Sequence, residues 1–408
     1  MTELVTKMPT STEAMNKGDR ETKAVSRVCH IINEYLGHTL NWVYTQIKYA
    51  TQIEHYVLAS KTQNLEQYPV EHLFSPKRLS ISRIPMVERV SRRLGWYPPE
   101  YLACFYRAMR QYPPSLIHAH FGWDGFFVLP LARWMKTPLM TRFYGYDIGS
   151  LPRIPLWRRR YKTLFRQGDW FLVEGEYMKK SLVALGCPGE KVIVHRLGIE
   201  LDRIQFRRRT YTSGAFHVLM AASFVEKKGL CYGLQAIARV ISKTGTDIQV
   251  SVIGDGPLRG ELEQLARDLG IAQRISWLGR QSHERFMQLL NEAHVFLSPS
   301  VTASDGNTEG GAPVTLAEAS AAGLPVISSF HADIPAVILD GQTGFLAGER
   351  DVEGLSAALE KFVTCPKLVL EFGENGRRFV EREHDVVVQG AQLTDIYEHV
   401  VEEWRSRR

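Results

Sequence analysis

Two glutamates and a lysine, each close to glycine, are the residues of this chain best suited to gripping a charged small molecule. The stretch Glu309-Gly-Gly-Ala-Pro-Val-Thr-Leu-Ala-Glu318 follows an apolar run, Val295–Ser298, that reads as a strand. From Val314 the pattern is helical, with Pro313 at the opening turn. A helix start presents unpaired backbone N–H groups and the positive end of the helix dipole, which suits a diphosphate. Gly310, Gly311, Ala312, Pro313 and Val314 would form that cradle, the two glycines letting the backbone approach closely. Glu318, one turn into the helix, is placed to accept hydrogen bonds from ribose hydroxyls. Glu309, in the loop, is placed to grip hydroxyls beyond the phosphates. Lys228 precedes Gly229 in Ala221-Ala-Ser-Phe-Val-Glu-Lys-Lys-Gly229, again between a strand and a helix, where a lysine neutralises phosphate charge. Gly254, in Ile253-Gly-Asp-Gly-Pro257, makes a tight turn at a third strand end. Each feature alone is matched by ordinary solvated surface; together, at successive strand ends, they describe a nucleotide site.

The first half offers a histidine. Ser115-Leu-Ile-His-Ala-His-Phe-Gly122 reads as a strand running into a loop, with His120 at its carboxyl end and opening into Phe121-Gly-Trp-Asp124. His118 reads as structural, turned to the opposite face by strand alternation. Tyr144 and Asp147 sit in the next such loop. No D-x-D pair stands at a strand end, so no obligatory metal is expected. The cysteines (29, 104, 187, 231 and 365) form no C-x-x-C pair, which fits neither a zinc site nor a disulfide framework and suggests a reduced, cytoplasmic protein.

The elements that would position these residues alternate between strand and helix. Strands are expected at Val28–Ile32, His55–Ala59, 115–122, Pro138–Phe143, Trp170–Val173 and Val192–His195. After a polar, arginine-rich break at 201–212 the rhythm restarts with Val218–Ala222, Ile248–Ile253, Ile275–Leu278, Val295–Ser298 and Pro325–Ser328. Apolar strands alternating with helices mean parallel sheets covered on both faces. The expected fold class is α/β, two doubly wound Rossmann-like domains facing across a cleft, with ligands at the carboxyl ends of the strands. The expected division is a flexible arm over 1–25, an N-terminal domain over 26–205, a C-terminal domain over 206–384, and a last helix over 385–408 packing back on the first domain.

At 408 residues, 44% hydrophobic and 23% charged, the chain is long enough for two domains, and its composition excludes wholesale disorder. The longest apolar run, Phe126–Ala132, is far short of a membrane span, and the polar N-terminus does not resemble a signal peptide. Residues 1–210 carry 32 Lys/Arg against 18 Asp/Glu, and 211–408 carry 18 against 26. The basic half suggests an anionic partner. Without zinc spacing, helix-turn-helix or RNP signature, nucleic acid is not expected. Arg153, Arg158–Arg160, Lys162 and Arg166, interleaved with Leu156, Trp157, Tyr161 and Phe165, would suit an anionic membrane surface, as would Arg78–Arg93.

The ordered blocks F-V-E-K-K-G (224–229), I-G-D-G-P (253–257), W-L-G-R (277–280), F-L-S-P-S (296–300), E-G-G-A-P-V-T-L-A-E-A (309–319), G-L-P-V-I-S (323–328) and D-G-Q-T-G-F-L (340–346) closely resemble the second domain of the family 4 glycosyltransferases, which have the GT-B fold. I-H-A-H-F-G (117–122), Y-G-Y-D (144–147) and L-G-I-E (197–200) match the first domain more loosely. The pattern is most similar to bacterial exopolysaccharide and lipid-linked-oligosaccharide transferases. The resemblance implies a retaining hexosyltransferase that uses a nucleotide-diphosphate sugar (UDP- or GDP-sugar) and a glycan or polyprenyl-linked acceptor, in the cytoplasm or peripherally on the membrane. An epimerase or hydrolase of the same fold, or an inactive partner subunit, are the alternatives. It further implies that Lys228, Glu309 and His120 are catalytic, and that Glu318, residues 310–314, Gly254 and Arg280 bind the donor. Gly37, Tyr144 and Asp147 would lie on the acceptor side. Two departures stand out. Glu309 and Glu318 have eight residues between them, one more than the family spacing, so the first carboxylate position falls on Gly310 unless the loop bulges at Gly310–Gly311. On the bulge reading, Glu309→Gln should harm turnover more than Gly310→Ala. Ser223 stands where an arginine is common, leaving Lys227 or Arg142 as its replacement.

Overall fold

The computed structural model describes residues 25–35, 41–66, 68–70, 72–75, 99–211 and 214–408. Most of the N-terminal arm, Gly37 and the basic stretch Arg78–Arg93 lie outside the described residues.

The first seven strands are β1 (Arg27–Tyr35), β2 (Glu54–Thr62), β3 (Leu73–Phe74), β4 (Leu116–His120), β5 (Leu139–Arg142), β6 (Trp170–Val173) and β7 (Val192–Val194). They form one sheet in the order β3-β2-β1-β4-β5-β6-β7. The next six are β8 (Phe216–Ala221), β9 (Ile248–Ile253), β10 (Ile275–Gly279), β11 (Val295–Ser298), β12 (Val326–Ser329) and β13 (Gly344–Ala347), in the order β10-β9-β8-β11-β12-β13. The pairings are parallel. Both sheets are thus doubly wound, as the alternation of elements predicts. Every residue of β4, β5, β6, β11 and β12 is buried, as expected of strands covered on both faces. In β8, Val218 and Met220 join one hydrophobic core and Leu219 the other, the period-two division of a pleated strand.

In each sheet the strand order reverses at one place, between β1 and β4 and between β8 and β11. Loops leave such neighbouring strands in opposite directions, and the carboxyl edge there is the natural ligand position. The loops after β8 and β11 carry Lys228 and Glu309; His120 ends β4.

The chain falls into two compact units, one of residues 1–142, 163–171 and 391–408, the other of 143–162 and 172–390. The last helix, Val386–Ser406, buries Leu393, Tyr397, Val400 and Val401, a helical stripe, within the first of these. Its Tyr397 hydroxyl lies 2.7 Å from His118 Nδ1.

Three sequence expectations need correction. The helix after β4 begins at Gly122, and a single residue, Phe121 at φ 76°, makes the turn, so His120 ends a buried strand and opens into no loop. His118 and His120 do not face opposite ways: residues two apart in a strand share a face, and their rings stack with centroids 4.4 Å apart. In the basic helix Pro155–Gln167, Trp157, Tyr161 and Phe165 are buried in the core, because helical periodicity turns that face inward. They are not membrane anchors; Leu156, Arg158, Arg159, Lys162 and Arg166 are exposed. All five cysteines are free, and no helix among the described residues is long and apolar enough to cross a membrane.

Candidate active site

Lys228 closes a single turn, Glu226–Lys228, ended by Gly229 in the left-handed region at φ 60°. A Cβ on Gly229 would stand 1.9 Å from the Pro299 carbonyl oxygen, so glycine is required for the β8 loop to lie against the β11 loop. That contact brings Lys228 to Glu309. Its Nζ donates to Glu309 Oε1 and Oε2, both at 2.7 Å, while Ser300 Oγ donates to Oε1 at 2.7 Å. Lys227 Nζ donates to the Thr308 carbonyl at 3.0 Å and stands 3.7 Å from Glu309 Oε2. The Glu309 side chain is only 6% exposed. Burial works to raise its pKa, but the two ammonium groups and the hydroxyl outweigh it and hold the carboxyl below its ordinary value. Lys227 is shifted down, chiefly by burial, against the pull of Glu309. The site therefore combines two lysines with one carboxylate, and retains net positive charge.

The backbone of Glu309 is fixed from a different side. Its N–H donates to His331 Nε2 at 3.1 Å, and His331 Nδ1 lies 2.6 Å from Glu349 Oε1. Since Nε2 accepts, Nδ1 carries the proton and donates to the carboxylate. Glu349 also accepts from Thr302 N at 2.7 Å and Thr302 Oγ1 at 3.1 Å, so one carboxylate holds both ends of the β11 loop. Beyond Glu309, Gly310 has φ 77°, and a Cβ there would stand 2.1 Å from Gly145 Cα; one on Gly145 would stand 2.3 Å from the Glu309 carbonyl oxygen. Two backbones cross in contact at this glycine pair. The helix Val314–Ala321 then starts after Pro313 with no side-chain cap. Beside its start lies a cavity of about 30 Å³ lined by Glu174, Arg196, Pro313 and Asp333.

Glu318 Oε1 lies 2.8 Å from Nε2 of His283, whose pKa this hydrogen bond raises. Gly254, at φ 129°, packs under the β8 loop, where a Cβ would stand 1.8 Å from the Ala222 carbonyl oxygen. Arg280 follows β10 and is exposed. The buried Asp147 carboxylate accepts from Tyr144 N at 2.7 Å at the start of the short helix Gly145–Gly149. In the other unit, His120 is fully buried beside His30, with His120 Nε2 and His30 Nδ1 3.0 Å apart. Burial and the Arg142 guanidinium push the His120 pKa down to about 3. Arg142 is itself buried and donates to Gln46 Oε1 at 2.9 Å.

Sequence reasoning brings Lys228, Glu309 and residues 310–314 to one place and misses Ser300, His331, Glu349 and His283. Ser300 is legible in F-L-S-P-S at the strand end. His331 and Glu349 sit after β12 and β13 with no motif of their own, and their partnership depends on the sheet order β11-β12-β13.

Residues 203–379 match the family model of glycosyl transferases group 1, and residues 49–203 match that of glycosyltransferase family 4. The amylovoran biosynthesis glycosyltransferase AmsK of Erwinia amylovora is 31% identical over 293 residues, covering 71% of this chain and 72% of that protein. A putative colanic acid biosynthesis glycosyltransferase, WcaL of Salmonella typhimurium, is 29% identical over 84% of this chain and 87% of its own. Among solved structures, Anabaena Alr3699/HepE in complex with UDP and glucose superposes with a TM-score of 0.70 at 15% identity, covering 90% of this chain and 98% of the other, a likeness of fold.

Proposed function

The chain belongs to the family 4, group 1 glycosyltransferases, and from that membership we propose that it transfers a hexose, with retention, from a nucleotide-diphosphate sugar to a glycan carried on a lipid, in the making of an exopolysaccharide. The observation that carries the reading is the Lys228–Glu309 pair, set beside the uncapped start of Val314–Ala321 at the carboxyl edge of β8 and β11.

The difficult moment is departure of the nucleoside diphosphate, when negative charge gathers on the leaving phosphate and the anomeric carbon becomes oxocarbenium-like. Lys228 and the N–H groups at the helix start act on that charge, each well-placed group contributing on the order of 3 kcal/mol. Lys227, beside Lys228, supplies the second cation in place of the arginine absent at Ser223. The incoming diphosphate takes Lys228 from Glu309, and the released carboxylate binds hydroxyls of the donor sugar. Glu318 exchanges His283 for ribose hydroxyls. The acceptor hydroxyl attacks from the face the diphosphate leaves, giving its proton to the departing phosphate oxygen, so the configuration is retained without a covalent enzyme intermediate. The cations are side chains, and turnover is expected to survive EDTA.

A thermal-shift panel of UDP-, GDP- and ADP-sugars tests the reading, followed by NMR of the product formed from the stabilising donor. The expected result is stabilisation by one nucleotide class and an anomeric configuration equal to the donor's. An inverted product, or no stabilisation by any of the three, contradicts it.

A further inference from the structure

We infer that His55 and His30 are positioning residues that hold His120 as the Nε2–H tautomer, with its lone pair on Nδ1. The relay begins at a carbonyl. His55 Nε2 lies 2.7 Å from the Ala50 carbonyl oxygen, which only accepts, so that nitrogen carries the proton. His55 Nδ1 is therefore an acceptor, and it lies 3.0 Å from His30 Nε2, which must donate. His30 Nδ1 is in turn an acceptor, 3.0 Å from His120 Nε2, which must donate as well. One backbone oxygen thus sets the proton position on His120 through two intervening rings. The direction holds only while each ring carries a single proton. Burial lowers the pKa of His30 and of His55, and burial with the Arg142 charge brings His120 to about 3, so all three rings are neutral near pH 7.

The neighbouring ring competes with this reading. His30, His118 and His120 bring one nitrogen each within 4.8 Å of one another, a spread compatible with a metal's ligand shell. Two features favour the relay. His30 has a ring partner on each of its nitrogens, and Arg142, paired in register with His120 across β4 and β5, repels a second cation. The consequence for catalysis rests on the reading, implied by the resemblance, of His120 as a catalytic residue: with its pKa held down to about 3 it is too weak a base to remove a proton, so its role is set by which nitrogen carries the hydrogen.

The test is long-range proton–nitrogen NMR of the full-length protein labelled with nitrogen-15 histidine, with His120 assigned by His120→Gln. The expected wild-type signal is Nε2–H, in protein that contains no stoichiometric zinc. His55→Phe cannot accept from His30, so His120 should move to the Nδ1–H form or a mixture, whereas His55→Gln, with an acceptor oxygen, should keep the wild-type form. Turnover of His55→Phe should fall about threefold to tenfold, the worth of one hydrogen bond, with the nucleotide-induced thermal shift unchanged. An Nδ1–H signal in the wild type, stoichiometric zinc, or a tautomer indifferent to His55→Phe overturns the relay. A tautomer change with full turnover leaves the relay standing and overturns the reading of His120 as catalytic.

Discussion

At the scale of single residues, the Lys228–Glu309 pair sets two opposite charges against each other, and in the proposed reading the donor diphosphate parts them. The nearly complete burial of the pair sets the terms of any mutational test. Removing Lys228 alone leaves Glu309 with Lys227 at 3.7 Å and the Ser300 hydroxyl. Breaking a buried pair in this way costs about 3 kcal/mol. Lys228→Met should therefore lower both stability and kcat/KM, the latter at least about tenfold. The double variant Lys228→Met/Glu309→Gln should recover most of the stability and none of the transfer, as thermal unfolding and a donor-consumption assay would show; recovery of transfer would remove both residues from the chemistry. The same pair sets a pH dependence. Because Glu309 is held below its ordinary pKa in the folded protein, its contribution to stability is complete above that ordinary value and is lost as pH falls through the depressed one. Glu309→Gln should flatten the acid limb of the stability curve accordingly.

At the scale of elements, the β11 loop shows why part of the site is legible in the sequence and part is not. The strands and the helix Val314–Ala321 follow from apolar runs, Pro313 and glycine placement, and strand Val295–Ser298 lies where its residues predict. The glycines at 310 and 311 also announce a special backbone. What Gly310 is special for depends on Gly145, 165 positions earlier in the chain, and what Gly311 is special for on Glu174; no local pattern contains either. Spacing alone makes Gly310 look like the tolerant slot of a bulge, with Glu309→Gln the more harmful change. The contact with Gly145 reverses that expectation. Gly310→Ala combines a left-handed φ, costing about 1–2 kcal/mol, with a Cβ 2.1 Å from backbone that cannot yield. It should cost at least as much turnover as Glu309→Gln; near-wild-type activity would mean the two backbones do not cross there. The surroundings of His120 escape the sequence for a similar reason, since a one-residue turn at Phe121 cannot be told from a loop by composition. On the helix Pro155–Gln167, the exposed Arg158, Arg159, Lys162 and Arg166 with Leu156 form a solvent-facing basic stripe. Co-sedimentation with vesicles containing anionic lipid should fade with salt and with Arg158→Glu/Arg159→Glu. Binding to neutral vesicles that is indifferent to salt would contradict an electrostatic role.

At the scale of the whole molecule, the charge divides unevenly, with an excess of lysine and arginine in residues 1–210 and of aspartate and glutamate in 211–408. The acidic half nonetheless contains the lysine pair. In the proposed reading a diphosphate there is held by local geometry, two ammonium groups and a helix start, and not by the overall field of that half. The proposed chemistry depends on this, and a structure of the full chain with a nucleoside diphosphate bound is its sharpest test. The phosphates should lie within hydrogen-bonding distance of Lys228 Nζ and of the amides that open Val314–Ala321, with the ribose hydroxyls on Glu318 and Glu309 parted from Lys228. A nucleotide seated elsewhere, with the Lys228–Glu309 pair intact, would contradict it.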